Sequence, residues 1–151
     1  MQIDSFTGRN AFLANWYKCE DLFVEFYDHY GLATWRASTV DHAYGALMAP
    51  DYNVAIDIVM APTAYLASYI AKRRNKVGKA EYRIEVMRKI LEDKFSDKAL
   101  AYRLKSTGYA RLINTTVNDT FWGVANGDGK NKLGELLMSI RTQLLALVPP
   151  N

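Results

Sequence analysis

The sequence of 151 residues has a single cysteine, Cys19. With no partner it forms no disulfide within the chain, and no pair of cysteines sets a zinc spacing, so a reducing, cytoplasmic setting is expected. Cys19 itself reads as a partly buried apolar filler rather than a catalytic thiol. The N-terminal MQIDSFTGRN lacks the basic start and apolar run of a secretory signal, so export is not expected. A long hydrophobic run is missing as well: the most apolar stretch, Val54 to Ala71, is interrupted by Asp57 and Pro62. It reads as two packed helices rather than a membrane span, and no membrane is expected among the partners.

Internal repeats, low-complexity tracts and Pro/Gly-rich linkers are also lacking, which predicts one domain over residues 1–151. No His/Asp/Glu cluster has metal-ligand spacing and no Ser-His-Asp arrangement can be assembled, so neither a metal nor a cofactor is expected. What the chain does have is core material: 50% of its residues are hydrophobic and 13% aromatic. The net charge of +3 is small, yet Lys72, Arg73, Arg74, Lys76 and Lys79 crowd into eight residues. That run reads either as a solvated helix end and turn or as a phosphate or nucleic-acid contact.

The pattern of elements is that of a small α+β domain, mainly helical with a short antiparallel β-sheet. Leu22 to Tyr27 and Leu32 to Arg36 are aromatic and β-branched runs around the turn-like Asp28 to Gly31, which predicts a hairpin. Ser38-Thr39-Val40-Asp41 resembles a capping box, with Ser38 as N-cap of a helix carrying Asp41, His42, Tyr44 and Met48. Asp51 and Thr63 are N-cap candidates for the next two helices, and Ala80 to Phe95 has helical spacing. Ser96 is expected to cap a further helix to about Ser106, with Gly108 as its stop. Arg111 to Thr115 reads as a strand returning to the hairpin. A final helix follows from Leu133, Leu136, Leu137, Ile140, Leu144 and Leu147, with Pro149-Pro150 ending it.

The most informative local feature is the polar loop Asn114 to Asn131, which carries Gly123, Gly127 and Gly129 and runs straight into that last helix. A glycine-bearing loop followed by a helix N-terminus, with Lys130 and Lys132 beside it, reads either as an ordinary turn before a helix or as an anion site. Trp122 reads either as a stacking platform for a base or ribose or as core.

Five blocks then carry a resemblance: FLANWY at Phe12 to Tyr17, STVDHAYGA at Ser38 to Ala46, EVMRKILEDKF at Glu85 to Phe95, TTVNDTFWG at Thr115 to Gly123 and GKNKLGELLMSIR at Gly129 to Arg141. In this order and spacing the chain resembles the NADAR, or YbiA-like, family. The resemblance implies a YbiA-like fold whose pocket cleaves N-glycosidic bonds. The implied ligands are ADP-ribose-like nucleotides or ADP-ribosylated nucleic acid, including ADP-ribose on the amino group of guanine; some members are linked instead to riboflavin-pathway intermediates. It implies Asp41 and Asp119 as the acid and charge-stabilising groups beside an oxocarbenium-like sugar. Asn15, Tyr44, Asn118, Phe121, Trp122, Gly123, Gly129, Lys130 and Asn131 are the implied ligand-binding residues, with Asn131 supporting the loop.

Two departures stand out. The family's block continues Gln-Ala-x-Lys where this chain has Gly45, Ala46, Leu47 and Met48, so a lysine able to act as nucleophile or phosphate cation is replaced by methionine. The family's glutamate is Asp41, which withdraws the carboxylate by about 1.5 Å, comparable with the ~1 Å displacement that costs about 100-fold in rate. Lys94, in the family's Lys-Phe pair, is retained. His42 reads as structural, because neighbours in a helix point about 100° apart and it need not share a pocket with Asp41. Three functions remain open: hydrolysis; binding and sequestration of an ADP-ribose-like or cyclic ADP-ribose-like nucleotide without turnover; or a nucleic-acid-binding module that uses the 72–79 basic run.

Overall fold

The computed structural model describes residues 1–147. The architecture is α+β, in the order β1 (Gln2–Ile3), a 3₁₀ helix (Gly8–Leu13), β2 (Leu22–Asp28), β3 (Gly31–Ala37), α1 (Val40–Leu47), α2 (Tyr52–Val59), α3 (Ala64–Arg74), α4 (Ala80–Lys94), α5 (Lys98–Ser106), β4 (Arg111–Leu112) and α6 (Lys132–Ala146). The fold resolves into two compact units. One is contiguous, Asn15–Lys94; the other joins Met1–Ala14 to the chain from Phe95 onward.

In the contiguous unit, β2 and β3 form an antiparallel hairpin from Leu22↔Ala37 to Asp28↔Gly31. Alternation decides its faces: Leu22, Val24 and Phe26 are buried while Phe23 and Tyr27 are exposed. The Asp28 carboxylate accepts from Tyr30 N at 2.8 Å and shapes the turn. Helices α1, α2 and α3 pack on one another, and α1 also meets β2 and α4. Gly45 makes the α1 packing close: a methyl group there would stand 2.9 Å from Ile58 Cγ2 and 3.2 Å from Ala71 Cβ.

Thr39, not Ser38, caps α1, its hydroxyl accepting from His42 N. The third helical residue is therefore His42, and no capping box forms. Asp51 and Thr63 cap α2 and α3 through Val54 N and Leu66 N. Asp97, one residue after Ser96, caps α5 by accepting from Leu100 N at 3.0 Å; a carboxylate one position on wins because its acceptor meets the open amide.

In the split unit, β4 does not return to the hairpin. It runs parallel to β1, with Gln2↔Arg111 and Ile3↔Leu112 in register. Residues 113–115 leave the ladder for the loop that precedes α6. The core of this unit includes Phe12, Leu13, Leu104 and Leu112 together with Leu133, Leu136, Leu137 and Ile140 of α6. The end of α6 at Pro149-Pro150 lies outside the described residues. No helix among the described residues is long and apolar enough to cross a membrane, and no His/Cys/Asp/Glu group among them is placed to hold a metal ion.

Candidate functional site

Two constellations carry polar chemistry, one in each unit. The first is built on α1. Thr39 starts the helix, and its first turn presents Asp41, whose N–H donates to the Asn15 carbonyl at 3.0 Å. Burial lifts the Asp41 carboxyl to about 6, against opposing pulls from the Lys94 and Lys72 cations. The residue keeps some surface, but its carboxylate is enclosed by protein, and the desolvation of that group governs its titration.

Lys94, the last residue of α4, is 1% exposed. Its ammonium lies 5.8 Å from the centre of the Tyr17 ring. Burial lowers its pKa to about 8, and Cys19 and Asp41 act the other way. The buried stripe of α4 is Met87, Ile90, Leu91 and Lys94. A lysine at the next apolar position of a helical stripe is the sequence signal that marks it, because lysine is almost never fully buried without a partner or a task.

Asn15 completes this cluster. Its amide nitrogen donates toward Met87 Sδ at 3.9 Å, while its Oδ1 is enclosed with no protein donor among the described residues. A buried acceptor without a donor is an open request for a ligand N–H or O–H. Tyr44, one turn along α1 from Asp41, receives Arg83 Nε of α4 on its hydroxyl at 3.5 Å. His42 is fixed on both sides: Nδ1 meets the Thr39 hydroxyl at 2.7 Å and Nε2 donates to the Ala61 carbonyl at 2.9 Å. This is a structural role, tying α1 to the α2–α3 connection. Cys19 is buried, with its thiol 3.5 Å from the Tyr17 carbonyl.

The second constellation is the 114–131 loop. Asp119 Oδ1 accepts from the amides of Phe121 at 3.0 Å and Trp122 at 2.9 Å, and the Thr116 hydroxyl bridges Asp119 N and O. Phe121 and Trp122 stand edge to face with centroids 4.8 Å apart; Trp122 is buried and Phe121 half-buried. Asn118, Gly129 and Lys130 are exposed, with the Lys130 ammonium 6.0 Å from the Phe121 ring. Asn131 is buried in the left-handed conformation at φ 52°. Its side chain accepts from Asn114 N and donates to the Leu112 carbonyl, both at 2.9 Å.

The anion site, one of the two readings of the start of α6, is filled by the chain itself. The amides of Lys130, Asn131, Lys132 and Leu133 donate to the carbonyls of Thr120, Gly123, Phe121 and Trp122, so the donors that a phosphate would use are already satisfied. The glycines serve this closure: a Cβ on Gly129 would collide with the Gly123 carbonyl, and one on Gly123 with the Asn114 carbonyl.

Asp41, Asn15 and Tyr44 thus fall in the contiguous unit, whereas Asp119 and the remaining expected residues fall in the split one. Lys72, Arg83 and Tyr17 join the first cluster without having been singled out from the sequence as site residues. An open groove of about 380 Å³ at the hairpin tip, bounded by Asp28–Ala33 and Pro50–Asn53, contains none of the expected site residues.

Comparison with known proteins places this geometry in context. The chain is similar to the N-glycosidase YbiA of Shigella sonnei, 33% identical over 144 residues that cover 83% of this chain and 90% of that protein. It is also similar to a riboflavin biosynthesis protein of Vibrio vulnificus, 30% identical over 147 residues, 94% of this chain but 38% of the longer protein. The NMR structure of the Escherichia coli protein YbiA superposes with a TM-score of 0.75 at 28% identity, covering 97% of this chain and 84% of that one. The NADAR domain model matches residues 5–145, and the chain belongs to the NADAR family.

Proposed function

We propose that this protein hydrolyses N-glycosidic bonds of ADP-ribose-type sugars, including the bond to the amino group of guanine in nucleic acid. The observation that carries the reading is the pairing of a carboxylate titrating at about 6 with a fully buried lysine titrating at about 8. Perturbed groups of opposite kind held in one cluster are what general acid–base chemistry requires.

Cleavage passes through an oxocarbenium-like sugar and leaves an amine that departs poorly without a proton. Near neutral pH the Asp41 carboxylate is ionised and stabilises the developing positive charge beside the anomeric carbon. Lys94 is protonated in the same window and supplies the proton to the departing nitrogen; water completes the sugar. The side-chain Oδ1 of Asn15, which has no protein donor among the described residues, accepts from a sugar hydroxyl or base amine. The naming of relatives as N-glycosidases supports hydrolysis in general, and the ADP-ribose specificity is our own assignment.

Incubation with DNA carrying ADP-ribosylated guanine tests this. ADP-ribose release is expected from the wild type and its loss from Asp41→Asn and Lys94→Met, whereas no release from such DNA by the wild type sinks the reading. A second reading, binding without turnover, is favoured by Met48, whose uncharged side chain stands on the Asp41 face of α1. Native mass spectrometry of recovered ligand separates the two: intact nucleotide means sequestration, cleaved nucleotide means hydrolysis.

A further inference from the structure

Charge is not shared equally between the two units. In Asn15–Lys94 cations and carboxylates balance at eleven each, so the whole net charge of +3 belongs to the split unit. There it is concentrated further: residues 98–118 hold Lys98, Arg103, Lys105 and Arg111 and no aspartate or glutamate. Asp97, just before them, is committed to the cap of α5. A stretch without internal counter-charge raises the local positive potential.

Exposed aromatic rings are threaded through the same stretch. Tyr102 is 69% and Tyr109 97% exposed, although a tyrosine ring gains by burial. Lys98, Tyr102 and Lys105 are spaced i, i+4 and i+7, which sets them on one face of α5 over about 10 Å of its axis. The opposite face carries the buried Leu104. The Thr107 and Gly108 amides close the helix on the Leu104 and Lys105 carbonyls, Gly108 turns at φ 63°, and Tyr109 follows before β4 opens on the exposed Arg111. Along the chain cation and ring alternate: Lys98, Tyr102, Lys105, Tyr109, Arg111. Behind the turn, the buried Arg141 of α6 donates to the Thr107 hydroxyl at 2.8 Å and has no carboxylate partner among the described residues. Its charge adds to theirs.

We propose that this strip, from Lys98 to Arg111, is a docking surface for single-stranded nucleic acid. The cations meet phosphates and the exposed rings stack on unpaired bases, the means by which single strands are held without reading their sequence. An anionic membrane would call for large apolar side chains beside the cations, whereas the exposed positions of α5 are lysine, alanine, tyrosine and serine. For its biological cargo the strip rests on the hydrolase reading, as the holder of a strand that carries a modified guanine, but binding is read without turnover.

The test is fluorescence anisotropy of the full chain with a labelled, unmodified oligothymidylate of about 10 nucleotides. The wild type should bind it more tightly than a duplex of the same length. The logarithm of the binding constant should fall with the logarithm of salt concentration at a slope of about −2, the value for roughly three phosphates neutralised on a single strand. Lys98→Ala and Arg111→Ala should each flatten that slope by about 0.7. Tyr109→Ala should weaken binding about tenfold and Tyr109→Phe should keep it, with melting temperatures close to the wild type throughout. Absence of binding, equal affinity for the duplex, or indifference to these substitutions overturns the strip. So does binding lost instead in Arg73→Ala and Arg74→Ala, or capture by phosphatidylserine vesicles in place of the oligonucleotide. Binding through the strip in a protein that releases no ADP-ribose from modified DNA upholds the strip and refutes the hydrolase; release that the strip variants leave untouched, without oligonucleotide binding, does the reverse.

Discussion

Lysine is among the side chains least often fully buried, yet Lys94 is enclosed at the end of an otherwise apolar stripe. Its lowered pKa fixes the sign of a stability experiment. Below pH about 8 both folded and unfolded chains hold this proton, and the folded state bears the whole cost of burying the ammonium. Between about 8 and 10.5 the folded chain releases it first, so stability rises with pH in that window. Lys94→Met, apolar and similar in length, should therefore be more stable than the wild type at pH 7 by up to about 3 kcal/mol. The advantage should vanish as pH approaches the unfolded lysine value; denaturant melts at several pH values check both points. Asp41 runs in the mirrored sense: its raised pKa favours the protonated folded form, so wild-type stability falls as pH rises from the ordinary carboxylate value to about 6. In turnover the two limits combine, and kcat/KM should rise through about pH 6 and fall through about pH 8. Asp41→Asn should remove what remains of the acid limb, and a flat profile in the wild type would contradict the assigned roles. Of this pair, Asp41 was legible in the sequence from its place in a motif. Lys94 was legible as a retained residue, but its burial depends on α4 packing against α1 and β2, which no local pattern prescribes.

At the scale of elements, the 114–131 loop is a closed structural device. Asn131 satisfies two backbone groups and adopts a left-handed conformation that asparagine tolerates. Asn131→Ala should lower stability by roughly 2–4 kcal/mol, since two buried backbone groups lose their partners. Gly129→Ala should be similarly damaging, because the new methyl meets the Gly123 carbonyl and Val124 Cα, both rigid backbone; chemical denaturation with unchanged m-value reads both. The cap of α1 gives a smaller case. Thr39→Ala removes an N-cap and a partner of the buried His42 ring at once, and a loss of about 1–2 kcal/mol follows. Elements with strong periodicity or capping chemistry were legible: the hairpin, α2, α3, α4 and α6. The parallel β1–β4 pair was not, because two residues in each strand carry no alternation to read. The loop left two readings open in the sequence for a physical reason. Glycines before a helix signal close approach of backbone, and in this chain what approaches is another part of the same loop rather than a phosphate.

For the whole molecule, family membership followed from the order of five blocks, and the identity of the fold followed with it. Which unit each block belongs to was not written in that order, since a single helix boundary, Lys94 to Phe95, separates residues that pack into different units. The same division has a consequence in time. All residues of the contiguous unit are present once Lys94 has been synthesised, but β1 has to wait for β4, since Gln2 pairs with Arg111. As the chain leaves the ribosome, the middle is free to organise while β1 stays without its partner strand. Translation therefore leaves β1 unpaired for as long as the ribosome takes to deliver β4. Substitutions that slow closure of the split unit should lower yield in cells more than they lower the equilibrium stability of the finished protein.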